Sequence, residues 1–383
     1  MGLFEAFDKI SHQGWLDKIT LDLKGKNFQE TLVWNSDEGI AVQPFYNSGP
    51  KNYTPLKKIN AWKIRETITI QSIKDANFKA LLALKGGANS LLFVGSIKDQ
   101  NEMDILLKNI QTEIIEIHYY NSSPIHTCQL ITMQRGSISY DYLGEHLISE
   151  EWNDTKEKDI EELAKITNST TNIKTITVNG NFYTNNGYSI IQEIAFSLTQ
   201  AVEYFSLLTD KGIEAKKIAS KIQFTFGIGT NYFFEIAKIR AIRVLWDFIL
   251  DQYNVSDKGM VIHSETSTTE TGEDKNYNIL RNTTKAMSAI IGGCDSLTVL
   301  PHDNSTLKIN FANRIARNIQ HILKEEAFFD KVNNPADGAY YIEQLTDEMV
   351  NKAWKLLQEV ETQGGFIACV ENNFIKKQIS KTS

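Results

Sequence analysis

The sequence has 383 residues, 42% of them hydrophobic, and a formal net charge of −7. This length is ample for a large buried core, either one barrel of roughly 250 residues with appendages or two smaller domains. Because the net charge is negative and the Lys and Arg residues are scattered, the composition argues against nucleic-acid binding, which needs clustered positive charge.

The cysteines and the N-terminus indicate the compartment. Cys128, Cys294 and Cys369 are widely spaced and form no CxxC pair. This pattern argues against a disulfide framework or a structural zinc site and favours buried thiols in a reducing compartment. The first residues include acids and no uninterrupted apolar stretch, so no signal peptide is predicted. With no run of about 18 apolar residues for a membrane helix, we expect a globular cytoplasmic protein.

The N-terminal region is predicted to be an amphipathic arm over residues 1–35. Its apolar side chains recur among charges and include Phe4, Phe7, Ile10, Trp15 and Ile19. Residues 44–60 hold three prolines together with Asn, Gly and Tyr, which is typical of an ordered loop that leads into the main domain.

From about residue 62 onward, helical patterns alternate with short β runs. The predicted strands are SLLFV (90–94), IIEIHYY (114–120), SISYDY (137–142), TITV (175–178), QFTFGI (223–228), MVIHS (260–264) and SLTVL (296–300). The predicted helices cover 73–85, 98–110, 156–168, 189–208, 232–250, 276–291, 306–325 and 345–361. Roughly seven or eight such units, with strands too apolar for an exposed antiparallel sheet, predict parallel strands covered by helices.

Two architectures satisfy this alternation, a (β/α)₈ barrel and an open doubly wound sheet. The helix over 189–208 carries one apolar stripe at helical spacing, which is what a helix covering either kind of sheet needs. Periodicity therefore does not choose between the two.

The short motifs give little chemistry. The GIG run at Gly227–Gly229 follows a strand and precedes a helix, but a dinucleotide fingerprint needs a third glycine where Tyr232 stands, so we interpret the run as a tight turn. No P-loop, HExxH or GxSxG motif occurs. His126 and Cys128, with His118, lack a fourth ligand and make a weak case for a metal site.

Polar residues gather where two predicted strands end. They are His263, Ser264, Glu265 and Thr266 after one strand, and His302 and Asp303 after another. In a barrel the carboxyl ends of the strands form the active face. The alternative, which we favour, is that the Ser, Thr and Asp residues cap the helices that follow.

Several long segments resemble the methylmalonyl-CoA mutase family. They are RNTTKAMSAIIGGCDSLTVLPHD (281–303), FANRIARNIQHILKEEA (311–327), FGIGTNYFFEIAKIRAIRVLW (226–246), PADGAYYIEQLTDEMVNKAWKLLQEVETQGG (335–365) and VNGNFYTNNGYSIIQEIAFSLTQAVEY (178–204). The opening WLDKITLDLKGKNFQETLVWNSDEGIAVQPFY (15–46) is similar to the family's small subunits.

The resemblance implies a (β/α)₈ TIM barrel with an N-terminal arm and C-terminal helices, and without the cobalamin-binding domain of full-length members. We expect an arm and lead-in loop over 1–60, the barrel over 61–335 and a C-terminal helical segment over 336–383. The family's cobalt ligand is the His of a DxHxxG motif, and none of the seven His residues has Asp two positions before it. We therefore expect no cofactor and no metal bound by this chain.

The catalytic residues of the family are also replaced. The position of a His that contacts the substrate thioester is Phe182, and Val261 stands where the family has an Arg that binds coenzyme A phosphates. A catalytic Tyr is missing from AWKIRETI (61–68), and the His and Gln of the Gly-Gly turn become Gly293 and Asp295. The expected residues at the barrel mouth are Phe182, His263, Ser264, Glu265, Arg281, Asp295 and His302.

Combined losses of this kind are typical of a non-catalytic homologue. The resemblance implies a small subunit that pairs with a large subunit, which binds adenosylcobalamin and interconverts (R)-methylmalonyl-CoA and succinyl-CoA. The arm residues Phe4, Phe7, Trp15 and Ile19 are the expected contacts with that partner. Folding of the arm onto its own barrel stays open as an alternative to this contact.

Two other interpretations of the whole chain stay open. One is that the chain is the substrate-binding barrel of a split mutase with a separate cobalamin-binding chain, and the other is that it is a fragment of a longer subunit.

Overall fold

The structure, a computed structural model, describes residues 10–49, 61–121, 123–131, 135–170, 172–269, 271–305 and 308–379. The arm consists of α1 (His12–Asp22), α2 (Phe28–Leu32) and a hairpin of β1 (Trp34–Asn35) and β2 (Ala41–Val42). Side-chain oxygens of Ser11 and Asn27 accept backbone N–H groups in the first turns of α1 and α2, which is why the two helices begin there.

The central sheet is parallel. Its strands are β3 (Lys63–Thr69), β4 (Ser90–Val94), β5 (Glu116–Tyr120), β6 (Arg135–Ile138), β7 (Ile173–Lys174), β8 (Ile176–Asn179), β9 (Ile222–Ile228), β10 (Ile262–Thr266) and β11 (Ser296–Thr298). The strands β7 and β8 are two halves of one strand, separated by Thr175. The first half pairs with β6 and the second with β9, while β3 pairs with both β4 and β11. The sheet therefore closes into an eight-stranded barrel, which confirms the (β/α)₈ expectation.

Helices surround the barrel and extend beyond it. Those up to β9 are α3 (Ile73–Lys85), α4 (Gln100–Leu106), α5 (Pro124–Leu130), α6 (Tyr142–Ser149), α7 (Lys156–Ser169), α8 (Asn181–Asn185), α9 (Ile190–Asp210) and α10 (Ala215–Lys221). The later ones are α11 (Tyr232–Gln252), α12 (Lys275–Gly292), α13 (Ile309–His321) with a π-helical turn over Ile322–Glu326, α14 (Tyr340–Thr362), α15 (Gly365–Glu371) and α16 (Phe374–Gln378). In the described part of the chain, no helix has the length and apolar character that crossing a membrane requires.

The predicted elements agree with these bounds to different degrees. The helix over 73–85 and the strand SLLFV have the expected bounds. The strand SISYDY was expected to reach Tyr142, which is wrong, because Asp141 accepts the N–H of Gly144 and starts α6 there. The first barrel strand, β3, was not predicted, because its charged Lys, Arg and Glu residues interrupt the apolar pattern expected of a buried strand.

The barrel has a polar interior and an apolar exterior, because alternate residues of a strand face opposite sides of the sheet. On β9, Phe224, Phe226 and Ile228 belong to the core between the barrel and its helices. On the same strand Gln223 faces inward, where it donates to Ser139, which follows β6, and to Thr177 of β8. The inward polar positions therefore define the channel of the barrel.

Candidate functional site

A chain of hydrogen bonds fills the barrel interior. The guanidinium of Arg65 on β3 donates to Ser90 Oγ at 3.1 Å and lies 2.8 Å from Nε2 of His118 on β5. His118 Nδ1 lies 2.7 Å from Ser137 Oγ, which contacts Ser139 Oγ at 2.6 Å. Charged and polar groups thus occupy the axis that branched aliphatic side chains fill in many barrels of this type.

Arg65 fixes the protonation of the neighbouring imidazoles. Because a guanidinium only donates, Nε2 of His118 accepts, and Nδ1 carries the proton that is donated to Ser137. Burial, together with the positive charge of Arg65, holds the pKa values of His118 and His263 well below the usual range of histidine. Burial also lowers the pKa of Arg65 to about 10. Two neutral histidines therefore accompany one buried cation.

A cavity of about 580 Å³ opens at the amino-terminal end of the strands. Its charged lining consists of four basic side chains, Lys63, Arg65, Arg135 and Lys174, and two acidic ones, Glu116 and Asp295. Asp295 is held by Arg243 at 2.8 Å, so the excess positive charge faces the cavity. Val261, where the resemblance expects a phosphate-binding Arg, lies in the same wall.

The opposite, carboxyl end of the strands carries Phe182 on α8, directly after β8. Its ring lies 5.6 Å from that of Tyr183 and 6.2 Å from that of Tyr188. Beside it, Asn181 donates to Glu265 at the end of β10, at 3.3 Å. Phe182 therefore lies at the barrel mouth within an aromatic cluster, and its own ring offers no proton donor or acceptor.

Buried charges hold the turn with the sequence GIG. Glu193 on α9 accepts the N–H of Gly227 at 3.0 Å, and Glu235 on α11 accepts that of Gly229 at 2.9 Å. A Cβ at Gly227 would lie 2.5 Å from that of Thr184, so glycine here allows α8 to pack on the turn. The interpretation as a tight strand-to-helix turn is confirmed, and carboxylates already occupy these two amides.

Three of the expected mouth residues lie elsewhere. Asp295 precedes β11 and therefore lies at the amino-terminal end of the barrel, where its carboxylate accepts the N–H of Ile262 at 2.8 Å. Ser264 is in register with Phe226 and Leu297, which face the helices, so it points out of the barrel. His263 faces inward but lies near the start of β10, against Ser296.

The other two expected mouth residues follow the carboxyl ends of the strands. Arg281 lies on α12 and donates to Asn278 of the same helix at 3.1 Å. The ring of His302 packs against that of Phe311 at the start of α13. The structure brings neither of them into contact with Phe182.

The expected capping by Ser264, Thr266 and Asp303 is wrong. Asp274 caps α12, and Lys308 stands at the start of α13 without a capping side-chain bond. Thr266 accepts the N–H of Leu300 at 2.9 Å, and Asp303 accepts that of Ser305 at 3.0 Å. The loops after β10 and β11 extend for several residues before their helices start, so these side chains stabilise the loops.

The weak metal candidate is not assembled. His118 lies inside the barrel, whereas His126 contacts the backbone O of Lys98 and Cys128 lies 3.7 Å from Ser169. Across the described ranges, no three His, Cys, Asp or Glu residues are placed to hold a metal ion.

The arm divides into two parts. The hairpin packs on its own barrel, where the Trp34 ring contacts that of Phe234 at 5.7 Å. By contrast, α1 buries none of its residues, and its Trp15 ring packs on Phe45 of the arm itself. A groove of about 590 Å³ separates α1 from α14. Phe4 and Phe7 lie outside the described residues.

Sequence reasoning missed the polar interior network and the buried cluster around Lys238. A sequence pattern does indicate the polar interior: polar and aromatic residues alternate strictly in β9, as Gln223, Phe224, Thr225 and Phe226. No sequence pattern indicates the buried cluster around Lys238, because its residues lie on segments that are far apart in the chain.

Residues 95–383 match the family model described as methylmalonyl-CoA mutase. The methylmalonyl-CoA mutase small subunit of Porphyromonas gingivalis is 35% identical over all of this chain and 68% of its own length. The small subunit of Streptomyces virginiae is 28% identical over all of this chain and 68% of its own length. The methylmalonyl-CoA mutase of Rhizobium meliloti is 34% identical over 92% of this chain and 59% of its own length.

The chain thus spans about three fifths to two thirds of the length of these relatives. Among solved structures, dihydropteroate synthase from Stenotrophomonas maltophilia aligns over 70% of this chain and 93% of its own, with a TM-score of 0.41 and 12% identity. That likeness is too weak to carry a functional argument.

Proposed function

The chain belongs to the methylmalonyl-CoA mutase family, and we propose that it acts there as the small, non-catalytic subunit of a heterodimeric, adenosylcobalamin-dependent enzyme. The complex would interconvert (R)-methylmalonyl-CoA and succinyl-CoA. The observation that carries this proposal is Phe182, an aromatic packing residue at the barrel mouth where the family places a His toward the thioester. Relatives named as small subunits support it.

The residues of this chain do not fit cobalamin. In the family the lower ligand of cobalt is an imidazole presented from a DxHxxG motif, and this sequence has no such motif. His118 and His263 are buried in the barrel and bonded there to serines. His146 is buried against the ring of Trp152. We therefore assign the cofactor, and the radical chemistry it supplies, to the partner subunit.

The purified chain is expected to bind no adenosylcobalamin, because it has no DxHxxG motif to present an imidazole to cobalt. Titration followed by the visible spectrum of the cofactor tests this, with free imidazole as the positive control for the spectral change. A stoichiometric change typical of His replacing the lower ligand would contradict the expectation.

The second candidate is the substrate-binding barrel of a split mutase. The cavity with four basic side chains favours it, because such a lining suits the phosphates of an acyl-CoA. Against it stand Phe182 and Val261, since neither supplies the polar group that the family uses at its position. Mutase assays with and without a large subunit separate the two candidates.

The arm is proposed to clasp the large subunit through α1. Its exposed and half-buried apolar residues have no place in the barrel, and Ile10 and Leu21 are more than 70% exposed. Burying one large apolar side chain contributes ~1.5–3 kcal/mol, which is at least about tenfold in affinity.

Deleting residues 1–30 is therefore expected to weaken binding to the large subunit by at least about tenfold. The deletion leaves the hairpin on the barrel, so the fold should persist, which thermal unfolding checks. Calorimetry measures the affinity, and Asp17→Ala on the exposed charged side of α1 serves as the control. Unchanged affinity after the deletion would show that α1 does not bind the partner.

A further inference from the structure

Aromatic side chains of the arm and of two barrel helices contact one another in a continuous row. The ring centres of Trp15 on α1 and Phe45 lie 5.1 Å apart. The residue after Phe45 is Tyr46, whose ring centre lies 5.3 Å from that of Tyr341 at the start of α14. Tyr341 in turn lies 5.5 Å from Phe233 at the start of α11. We define the aromatic surface as Trp15, Phe45, Tyr46, Phe233, Tyr340 and Tyr341.

Three of these rings are half exposed although they are held in place. Phe45 and Phe233 are each 49% exposed and Tyr340 is 50% exposed, whereas large aromatic side chains are normally well buried. Tyr340 lies against the backbone at Gly49, where a Cβ would be 3.4 Å from its ring. The Tyr46 hydroxyl accepts the N–H of Gln43 at 2.9 Å. The aromatic surface is therefore formed in the folded chain before any partner binds.

The segments that build the aromatic surface carry no charge. Residues 43–49, 229–233 and 338–341 contain no Asp, Glu, Lys or Arg, whereas these four types make up 23% of the chain. The core of a protein–protein interface is depleted of charge and enriched in Trp, Tyr and Phe, and a contiguous exposed apolar patch marks such a site. The composition therefore indicates a protein partner. It argues against a lipid surface and a nucleic acid, since both attract clustered basic side chains.

The groove beside α1 joins the aromatic surface to the arm. Its lining includes Trp15, Phe45 and Tyr46, which belong to the aromatic surface, and Glu348 and Lys352 on α14. Its volume of about 590 Å³ leaves room for side chains of a partner between α1 and α14. A partner that covers α1 therefore also meets the aromatic rings that lead from the arm to the barrel.

We propose that the aromatic surface is the barrel-side part of the contact with the large subunit, with Phe233 and Tyr340 as its anchors. This inference rests on the proposed subunit role and extends the contact from α1 to the starts of α11 and α14. Relatives named as small subunits match all of this chain, which includes the three uncharged segments. The large subunit then lies beside the barrel mouth, because α11 starts there, shortly after β9.

Phe233→Asp and Tyr340→Asp in the full chain test the aromatic surface, with the large subunit from the same organism as the probe. Both positions lie in the first turn of a helix, where an acidic side chain is favourable, so the fold should persist. Because each change places a charge where the partner excludes water, each is expected to weaken binding at least about tenfold by calorimetry.

Phe311→Asp is the matched control. Phe311 is 50% exposed and lies in the first turn of α13, outside the aromatic surface, so the substitution has the same chemistry in the same helical position. Its affinity for the large subunit is expected to stay within about twofold of that of the wild-type chain.

Hydroxyl-radical footprinting of the wild-type chain reads the same surface without a substitution. In the complex, Phe45, Phe233 and Tyr340 are expected to lose most of the oxidation that they show in the isolated chain, whereas Phe311 keeps it. This measurement decides the matter if either variant fails to fold. Unchanged oxidation of Phe233 and Tyr340 in the complex contradicts the proposal.

Wild-type affinity of both Phe233→Asp and Tyr340→Asp also contradicts it, and if deletion of residues 1–30 still weakens binding, the subunit role stands with a contact confined to the arm. A wild-type chain that binds no large subunit refutes the subunit role, and the inference falls with it. Sedimentation of the isolated chain tests for a second copy. A dimer that Phe233→Asp dissociates would overturn the assignment of this surface to the large subunit.

Discussion

Replacement of Lys238 by methionine is expected to lower the free energy of unfolding by about 3–5 kcal/mol. Methionine has nearly the length of lysine, so the change removes charge with little change in volume. It leaves Glu193 and Glu235 buried without their ammonium and takes the donor away from the backbone O of Gly227. Removing one member of a buried ion pair costs this much because the remaining charge is uncompensated.

Urea denaturation followed by circular dichroism measures the effect as a lower transition midpoint with an unchanged slope. Lys18→Met is the matched control, because Lys18 pairs with Asp22 on the exposed face of α1, and its midpoint should stay close to that of the wild-type chain. Adding Glu193→Gln to Lys238→Met is expected to restore part of the loss. Equal midpoints for Lys238→Met and the wild-type chain would refute the role given to this ammonium.

Parallel strands covered by helices were predictable from the sequence pattern, because the helices carry long apolar stripes, whereas the closed barrel was predicted from the resemblance to the mutase family. The strands were predictable where both faces are apolar, as in Ser90–Val94. β3 was missed because Arg65 faces the channel and Glu66 pairs with Arg317 of α13, so charges occupy both faces. Charged residues on a strand argue for an exposed edge in most sheets, whereas a closed barrel with a polar channel buries them.

The placement of the candidate site residues depended on strand bounds that sequence patterns fix only to within a few residues. Ser264 was assigned to the mouth because its strand was expected to end there, whereas β10 continues to Thr266 and Ser264 faces the helices. Asp295 was assigned to the mouth from the resemblance of the Gly-Gly turn, although the strand after it begins at Ser296 in the prediction and in the structure alike, so it lies at the amino-terminal end of the barrel. Phe182 was located by resemblance, and the structure places it at the end of β8 on α8.

The buried ion pairs of Lys238 could not be found from sequence. Glu193 and Lys238 are separated by 45 residues, and Glu38 on the hairpin is separated by 152 residues from Ile190, whose amide it binds. Each of these residues also looks like an ordinary surface charge on an amphipathic element. Only the packing of α9 against α11 shows that Glu193 and Lys238 form a buried pair, so this feature needed the structure.

The isolated chain is expected to have no mutase activity. We expect no conversion of methylmalonyl-CoA to succinyl-CoA by the wild-type chain with adenosylcobalamin supplied, and none by Phe182→His. A positioned acid or hydrogen-bond donor is worth ~10²–10⁴ in rate, so its absence alone would only slow an enzyme. This sequence also has no DxHxxG motif, by which the family holds the radical source, and side chains cannot replace that chemistry.

The packing of Phe182 explains why a single substitution is not expected to recover activity. Its ring is part of an aromatic cluster with Tyr183 and Tyr188, and an imidazole in this place would lose apolar contact with these rings. At the other end of the barrel, Val261 leaves the cavity without the arginine that grips a phosphate in the family. Phe182→His should therefore be slightly less stable than the wild-type chain and equally inactive.

The assay compares the isolated chain, Phe182→His and the complex of each with a large subunit, under the same conditions. The complexes serve as the positive control, and we expect them to turn over at similar rates, because Phe182 takes no part in the reaction. A tenfold lower rate with Phe182→His in the complex would place this residue in the working site. Turnover by the isolated wild-type chain would favour the split-mutase alternative, since a barrel that only supports its partner has no means of moving the radical.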